Sequence, residues 1–275
     1  MDRAPCQRAS PRRARGTPLI TTTHQLPERR TLVAEVWIVL LISLGFRAVY
    51  ALVDLIGDLT KGASLSSQTA VLVGTQDDRP WLDLTYQLLG ITRALVPVAL
   101  VIYLLHRSAE SARTIGFDLR RPRVDLGVGA LLAAVIGGAG LGVYLVAHAI
   151  DGNLTVVPTT LRDVWWRIPV LILAAAENAV LEEVVIAGYL LHRLRQIGWS
   201  DTKALALSAG IRGAYHFYQG FGGFLGNAVM GVIFGLIYQR YGRVAPLVVA
   251  HTLIDAVAFV GYVLLAGHVS WLPTP

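Results

Sequence analysis

The chain has 275 residues, of which 54% are hydrophobic and only 15% are charged, and its mean hydropathy is +0.55. A soluble globular domain carries about 25% charged residues, so this composition excludes an ordinary soluble protein and predicts a helical membrane protein. The net charge of +6 does not indicate nucleic-acid binding, because the basic residues lie mostly in short connectors between apolar segments, where membrane topology places them.

Seven apolar segments are predicted to form transmembrane helices, since about twenty apolar residues cross the roughly 30 Å of hydrocarbon in a bilayer. They lie at residues 32–56, 81–105, 126–150, 165–191, 204–217, 224–238 and 244–266. The fifth and sixth segments are short for a complete crossing. The predicted fold is all-α, a polytopic transmembrane helical bundle of about seven spans.

The connectors predict the orientation of this bundle. Arginine-rich connectors alternate with connectors that are poor in basic residues, and the positive-inside rule then places the N-terminus in the cytoplasm and the C-terminus outside a cell membrane. Residues 1–30 are expected to form a basic, disordered cytoplasmic tail. The single cysteine, Cys6, lies in this tail, so the sequence indicates neither a disulfide framework nor a cysteine metal site.

Ionisable residues interrupt three of the C-terminal segments. They are Glu182 and Glu183, Arg212 and His216, and His251 and Asp255. Such residues inside a membrane indicate a functional site. At about 1.5 Å rise per residue, four of them lie roughly 12 to 20 Å from the basic residues at the cytoplasmic ends of their segments. We therefore expect Glu182, His216, His251 and Asp255 to share one layer and to line one cavity that opens toward the cytoplasm.

The spacing within these segments adds detail. His251 and Asp255 are four positions apart, as are Arg212 and His216, so each pair shares a helix face. Asn178 shares a face with Glu182 in the same way. For any one of these residues, a purely structural hydrogen bond between helices is an equally good interpretation. The convergence of the whole set favours a site.

The motifs of the C-terminal half follow one another in a defined order. They are Glu182-Glu183, Gly188-Tyr189-Leu190, Tyr215-His216, the glycine-rich turn at 219–223, Pro246-Leu247, and Ala250-His251 with Asp255. This order resembles the CAAX protease and bacteriocin-processing (CPBP) family of intramembrane proteases, over residues 165–260. The resemblance implies an intramembrane endopeptidase related to the type II prenyl protein protease. Residues 151–275 would form its protease core and residues 31–150 a set of N-terminal transmembrane helices.

The resemblance also implies a role for each motif residue. Glu182 would activate the water and Glu183 would support it. His216 would hold the water together with Glu182, while His251 and Asp255 would stabilise the oxyanion. The peptide bond would be attacked near the cytoplasmic half of the bilayer. The implied partners are a membrane-associated peptide or protein substrate and the lipid bilayer, with no nucleic acid.

Three positions depart from the family pattern. Ala187 stands where the family usually has arginine, Arg212 where phenylalanine is frequent, and Asp255 where asparagine is common. An ionised Asp255 would repel an oxyanion. We consider two hypotheses for Arg212: it pairs with Glu183 in place of the missing arginine, or it serves only His216.

The sequence does not decide whether the site needs a metal, and it allows two alternative functions. His216, His251 and an acid could bind zinc, but the H-E-x-x-H motif is absent. We therefore favour no cofactor and a metal-free, glutamate-activated water. The alternative to the protease is a catalytically inactive family member that acts as a membrane scaffold or immunity factor, and the missing arginine at Ala187 is the feature in its favour. A small transporter or proton relay would also hold acids at mid-depth, but it predicts repeated halves, and the sequence shows no internal repeat.

Overall fold

The computed structural model describes residues 27–275, so most of the expected disordered tail, including Cys6, lies outside the described residues. This part of the chain forms ten α-helices: α1 (Arg29–Leu41), α2 (Leu44–Thr60), α3 (Pro80–Ala94), α4 (Val96–Arg107), α5 (Pro122–Ala149), α6 (Arg167–Glu182), α7 (Leu191–Gln196), α8 (Asp201–Ala214), α9 (Phe221–Tyr241) and α10 (Ala245–Leu265). Two short strands, β1 (Thr69–Val73) and β2 (Thr155–Thr159), pair in parallel.

The helices identify a multi-pass membrane protein. Four are long and apolar enough to cross a membrane: α3 and α4 taken together, α5, α9 and α10. The bent pair α1 and α2, which meet at 46°, makes a fifth if it counts as one span. The predicted count of seven spans is not confirmed. The 14 residues of α8 reach only about 21 Å, and the segment at 165–191 carries three carboxylates, which lower its apolar character.

The helix that carries the paired acids changes type inside the bundle. α6 passes without a break into a π-helical segment, Glu183–Leu190, which continues into α7. Every residue of the π-helical segment is buried. π-helical turns in proteins occur frequently at functional sites. In this protein the change of type begins at the second of the two acids.

Close packing brings α8 and α9 together beside this helix. A Cβ on Gly231 would lie only 3.1 Å from the Cα of Ala209, so glycine is what allows the two helices to approach so closely. α10 packs against both α5 and α6. Arg212 on α8 contacts Glu183, at the end of α6, and His251 on α10, so these three helices meet in the interior of the bundle. The predicted site residues lie on these helices or directly after them.

Polar contacts gather the basic connectors at one end of the bundle, which we call the basic end. Arg29 Nε donates to the carbonyl of Ile197 (3.1 Å), and Arg193 Nη1 donates to Glu110 Oε2 (2.6 Å). Burial favours the neutral form of Glu110, but the hydrogen bond from His192 and the charges of His192 and Arg193 outweigh it and lower the pKa of this carboxyl. Glu110 is thereby kept ionised as the anchor of the network.

The two strands lie at the opposite end, which we call the strand end. Just before β2, Asn153 forms an antiparallel bridge with Gly220, and its Oδ1 accepts a hydrogen bond from the backbone N–H of Gly223 (2.8 Å). Gly220 has φ +105°, and a Cβ there would lie 2.8 Å from the Cα of Asn153, so both the backbone conformation and the contact require glycine. The all-α prediction is correct for the bundle but misses this two-stranded sheet.

Candidate active site

The two adjacent acids face different surroundings because neighbouring residues on a helix point about 100° apart. Glu183 is fully buried against Arg212 and His251. Glu182 borders a cavity of about 290 Å³. The cavity is lined by Arg47, Tyr50, Ala51, Asp54, Asn178, Glu182, Tyr215, His216 and Tyr218.

Arg212 connects both acids. Its Nη1 and Nη2 donate to Glu183 Oε2 (3.1 Å) and Oε1 (2.5 Å), and Nη2 also lies 3.3 Å from Glu182 Oε2. This two-point pairing is the strong geometry for a guanidinium and a carboxylate. The structure confirms the predicted pair of Arg212 and Glu183, so the cation that Ala187 does not provide comes from α8. The backbone carbonyl of Arg212 accepts from His216 Nδ1 (2.9 Å), which makes Arg212 a neighbour of His216 as well.

The hydrogen bonds around Glu182 and His216 leave one acceptor on each side chain. A carbonyl only accepts, so His216 Nδ1 must carry its hydrogen and a neutral ring presents Nε2 as an acceptor. The hydroxyl of Tyr215 donates to Glu182 Oε2 (2.8 Å), the oxygen that also faces Arg212. Among the described residues, none forms a hydrogen bond with Glu182 Oε1. Glu182 and His216 therefore bring two acceptors to the same cavity.

His251 lies between two carboxylates. Its Nδ1 donates to Glu183 Oε1 (2.8 Å), and its Nε2 lies 3.5 Å from Asp255 Oδ2. Asp255 Oδ2 also accepts a hydrogen bond from Asn178 Nδ2 (3.0 Å). A chain of contacts thus runs from Glu182 through Arg212 and Glu183 to His251, Asp255 and Asn178, and the predicted convergence of these residues is confirmed.

The cavity differs from the predicted one in its lining. Only Glu182 and His216 of the predicted set border it, whereas His251 and Asp255 are not among its lining residues. The lining residues occur at the level of Glu182 or nearer the strand end, as Asp54 and Tyr218 do. On the other side, all residues at 183–191 are buried. The cavity thus extends from Glu182 away from the basic end, where residues 183–191 are buried. The opening toward the cytoplasm stays a prediction, because the orientation of the bundle is a prediction as well.

Sequence reasoning missed the wall that α2 contributes. Arg47, Tyr50, Ala51 and Asp54 line the cavity, and they recur at spacings of three, four and seven residues, which places them on one face of a helix. Arg47 and Asp54 are charged residues inside the first predicted span, and their presence there was the one sign in the sequence that this segment borders a polar site. No motif connected them with the acids more than 120 positions later.

The acidic cluster does not fit a metal ion, although its spacing resembles a metal site. Glu182, Glu183 and His251 offer ligand atoms that lie within 4.8 Å of one another. However, Arg212 Nη2 lies 3.3, 2.5 and 3.1 Å from atoms of these same three residues. A cationic group of the chain already neutralises the donors, and a dication would have to displace it against charge repulsion. His216, which with His251 and an acid was the alternative zinc site of the sequence analysis, does not belong to this cluster.

Comparison with known families gives one match. Residues 164–257 match the family model described as type II CAAX prenyl endopeptidase, Rce1-like. No curated protein and no solved structure matches the chain. The matched residues include the five predicted site residues together with Asn178 and Arg212, whereas the α2 wall of the cavity lies outside them.

Proposed function

We propose that this protein is an intramembrane endopeptidase in which Glu182 activates the attacking water, and the match of residues 164–257 to the type II CAAX prenyl endopeptidase family model supports this. One observation carries this proposal: Glu182 Oε1 and His216 Nε2 are acceptors without a partner among the described residues, and both side chains border one cavity. A water molecule has two hydrogens and can donate one to each.

The reaction then needs a single proton acceptor. The water oxygen attacks the peptide carbonyl carbon while Glu182 takes a proton from the water. Collapse of the tetrahedral intermediate breaks the C–N bond, and the proton returns from Glu182 to the departing amine. The products are one carboxylate and one amine. His216 orients the water, while Arg212 and Tyr215 hold the carboxylate of Glu182 in place.

The substrate has to present its scissile carbonyl free of helical hydrogen bonds, because an α-helix uses its backbone carbonyls in i to i−4 bonds. We propose that a membrane-associated peptide or protein reaches Glu182 as an extended stretch rather than as a helix, in the cavity of about 290 Å³ beside this residue.

The packing of α2 suggests the route. α2 packs mainly on α8 and on the turn Phe217–Gln219, while Tyr50 on its cavity face is 68% exposed. α6 carries Asn178 and Glu182 on the facing wall. We propose that the substrate enters from the membrane between α2 and α6. We also propose that the N-terminus of the protein is cytoplasmic and its C-terminus outside, as the arginine distribution predicts.

The direct test is cleavage of membrane peptides. Purified protein in liposomes is incubated with a library of membrane-derived peptides, and new peptide ends are identified by mass spectrometry. We expect wild-type protein to cleave and His216→Gln to cleave at least about 100-fold more slowly, because the amide holds the water poorly. His106→Gln, a change at an exposed histidine away from the cavity, serves as the control and should match wild type. Equal rates for wild type and His216→Gln would contradict the assigned role.

Metal removal provides a separate prediction. We expect cleavage to persist in 1,10-phenanthroline and EDTA at concentrations that inactivate a zinc peptidase assayed in parallel, because Arg212 neutralises the acids that a metal would need. Rates are compared before and after dialysis against each chelator. Loss of activity that added zinc restores would refute the metal-free mechanism.

A further inference from the structure

We propose that Asn178 is the hydrogen-bond donor that stabilises the oxyanion, and that Asp255 is a positioning residue that acts through it. This inference rests on the proposed function. The resemblance implies that Asp255 itself stabilises the oxyanion, yet Asp255 is not among the residues that line the cavity, and its carboxylate can only accept hydrogen bonds when ionised. The required donor must come from another residue.

Asn178 lies where such a donor is needed. It precedes Glu182 by four residues on α6, so the two side chains are neighbours on one helix face. Both border the cavity, and Asn178 is the one side-chain amide among the residues that line it. A carbonyl attacked by a water on Glu182 therefore has this amide within the same small space.

The contact with Asp255 fixes the amide in a productive orientation. Asn178 Nδ2 donates to Asp255 Oδ2 at 3.0 Å. An ionised carboxylate has no hydrogen to give, so the NH₂ group and not the amide oxygen must face it. The NH₂ group carries two hydrogens and Asp255 takes one. The second hydrogen remains for a ligand in the cavity.

Two other polar side chains of the cavity wall already donate elsewhere: the hydroxyl of Tyr215 to Glu182, and His216 Nδ1 to a backbone carbonyl. The hydroxyl of Tyr218 accepts from Gln219 Nε2 (2.8 Å) and keeps its own hydrogen, but it lies on a different element from Glu182. Arg47 and Tyr50 line the cavity from α2 and are exposed. Asp255 holds Asn178 and itself faces His251 Nε2 at 3.5 Å, so the network around Glu183 continues to the donor. The oxyanion would meet a neutral amide, with the charge of Asp255 behind it.

Exchanging Asn178 and Asp255 for one another distinguishes a catalytic role of the Asn178 amide from a structural one. We expect Asn178→Ala to lower kcat about 100- to 1000-fold with little change in KM, which is the effect of losing one oxyanion donor. The double variant Asn178→Asp with Asp255→Asn retains one amide and one carboxylate at bonding distance. We expect it to recover the thermal stability of the wild type but to remain as slow as Asn178→Ala, because the amide no longer borders the cavity.

The measurements are kcat, KM and the melting temperature of each variant in detergent, on a peptide that the wild type cleaves. Recovery of kcat together with stability in the double variant would show that the pair is only structural and would overturn the inference. Wild-type kcat for Asn178→Ala would overturn it as well while leaving the proposed function intact. Absence of any cleavage by the wild type would overturn the proposed function and this inference with it.

Discussion

Glu182→Gln is expected to lower the rate of proteolysis by about 100- to 10,000-fold, which abolishes cleavage in an ordinary assay, while the protein still folds. Glutamine keeps the shape of glutamate and its oxygen can still accept from Tyr215, but the amide cannot take the proton of the attacking water. Cleavage rates are measured on peptides identified with the wild type, and folding is followed by the melting temperature in detergent.

Glu177→Gln is the matched control for this variant. Glu177 lies on the same helix and undergoes the same chemical change, but it does not border the cavity. We expect its cleavage rate to stay within a few-fold of the wild type. If Glu182→Gln cleaves at the wild-type rate, Glu182 is not the base and the mechanism fails at its central step.

Arg212→Ala is expected to cause the largest loss of stability, about 3 to 5 kcal/mol, because it leaves buried Glu183 without its cation. Glu183→Ala should also destabilise the protein, since Arg212 is then left buried with a weaker partner in Glu182 at 3.3 Å. Loss of both partners should cost less than the sum of the single losses. Free energies of unfolding in detergent for the four proteins of the double-mutant cycle give the coupling.

The exposed pair of Arg195 and Asp201 supplies the comparison. Their charged atoms lie 2.9 Å apart, but both side chains are more than half exposed. Solvent-exposed pairs contribute at most about 1 kcal/mol, so the same cycle there should show little coupling. Strictly additive losses for Arg212 and Glu183 would mean that the buried pair does not act as a unit.

The sequence predicted the centre of the site because depth in a membrane can be counted along a helix. Glu182, His216, His251 and Asp255 lie at similar distances from the basic flanks of their segments, and the structure brings them into one network. Their identities also limit the partners available, since buried acids need cations. The pairing of Arg212 with Glu183 followed from that requirement as one of two hypotheses.

Counting residues along a helix gives the depth of a side chain in the membrane, but it cannot predict which face of a helix distant in the sequence completes the wall of a cavity. The contribution of α2 depends on how its bend with α1 directs residues 47–54 toward α6, and no local pattern encodes this. The strands were missed because β1 and β2 pair across more than 80 residues, in segments that read as loops. The direction in which the cavity extends cannot be read from the arginine pattern, because that pattern describes the ends of the helices, whereas the burial of residues 183–191 decides where space is left.

The closed basic end makes the cavity a dead-end chamber rather than a tunnel. Residues 183–191, which follow Glu182 toward the basic end, are all buried, so the described residues leave no exit along this stretch of helix. In the proposed protease, a substrate would therefore not be threaded through the bundle and cut repeatedly as it advances. Both fragments would withdraw by the route on which the intact chain arrived, and the chamber would have to empty before the next scissile bond is presented.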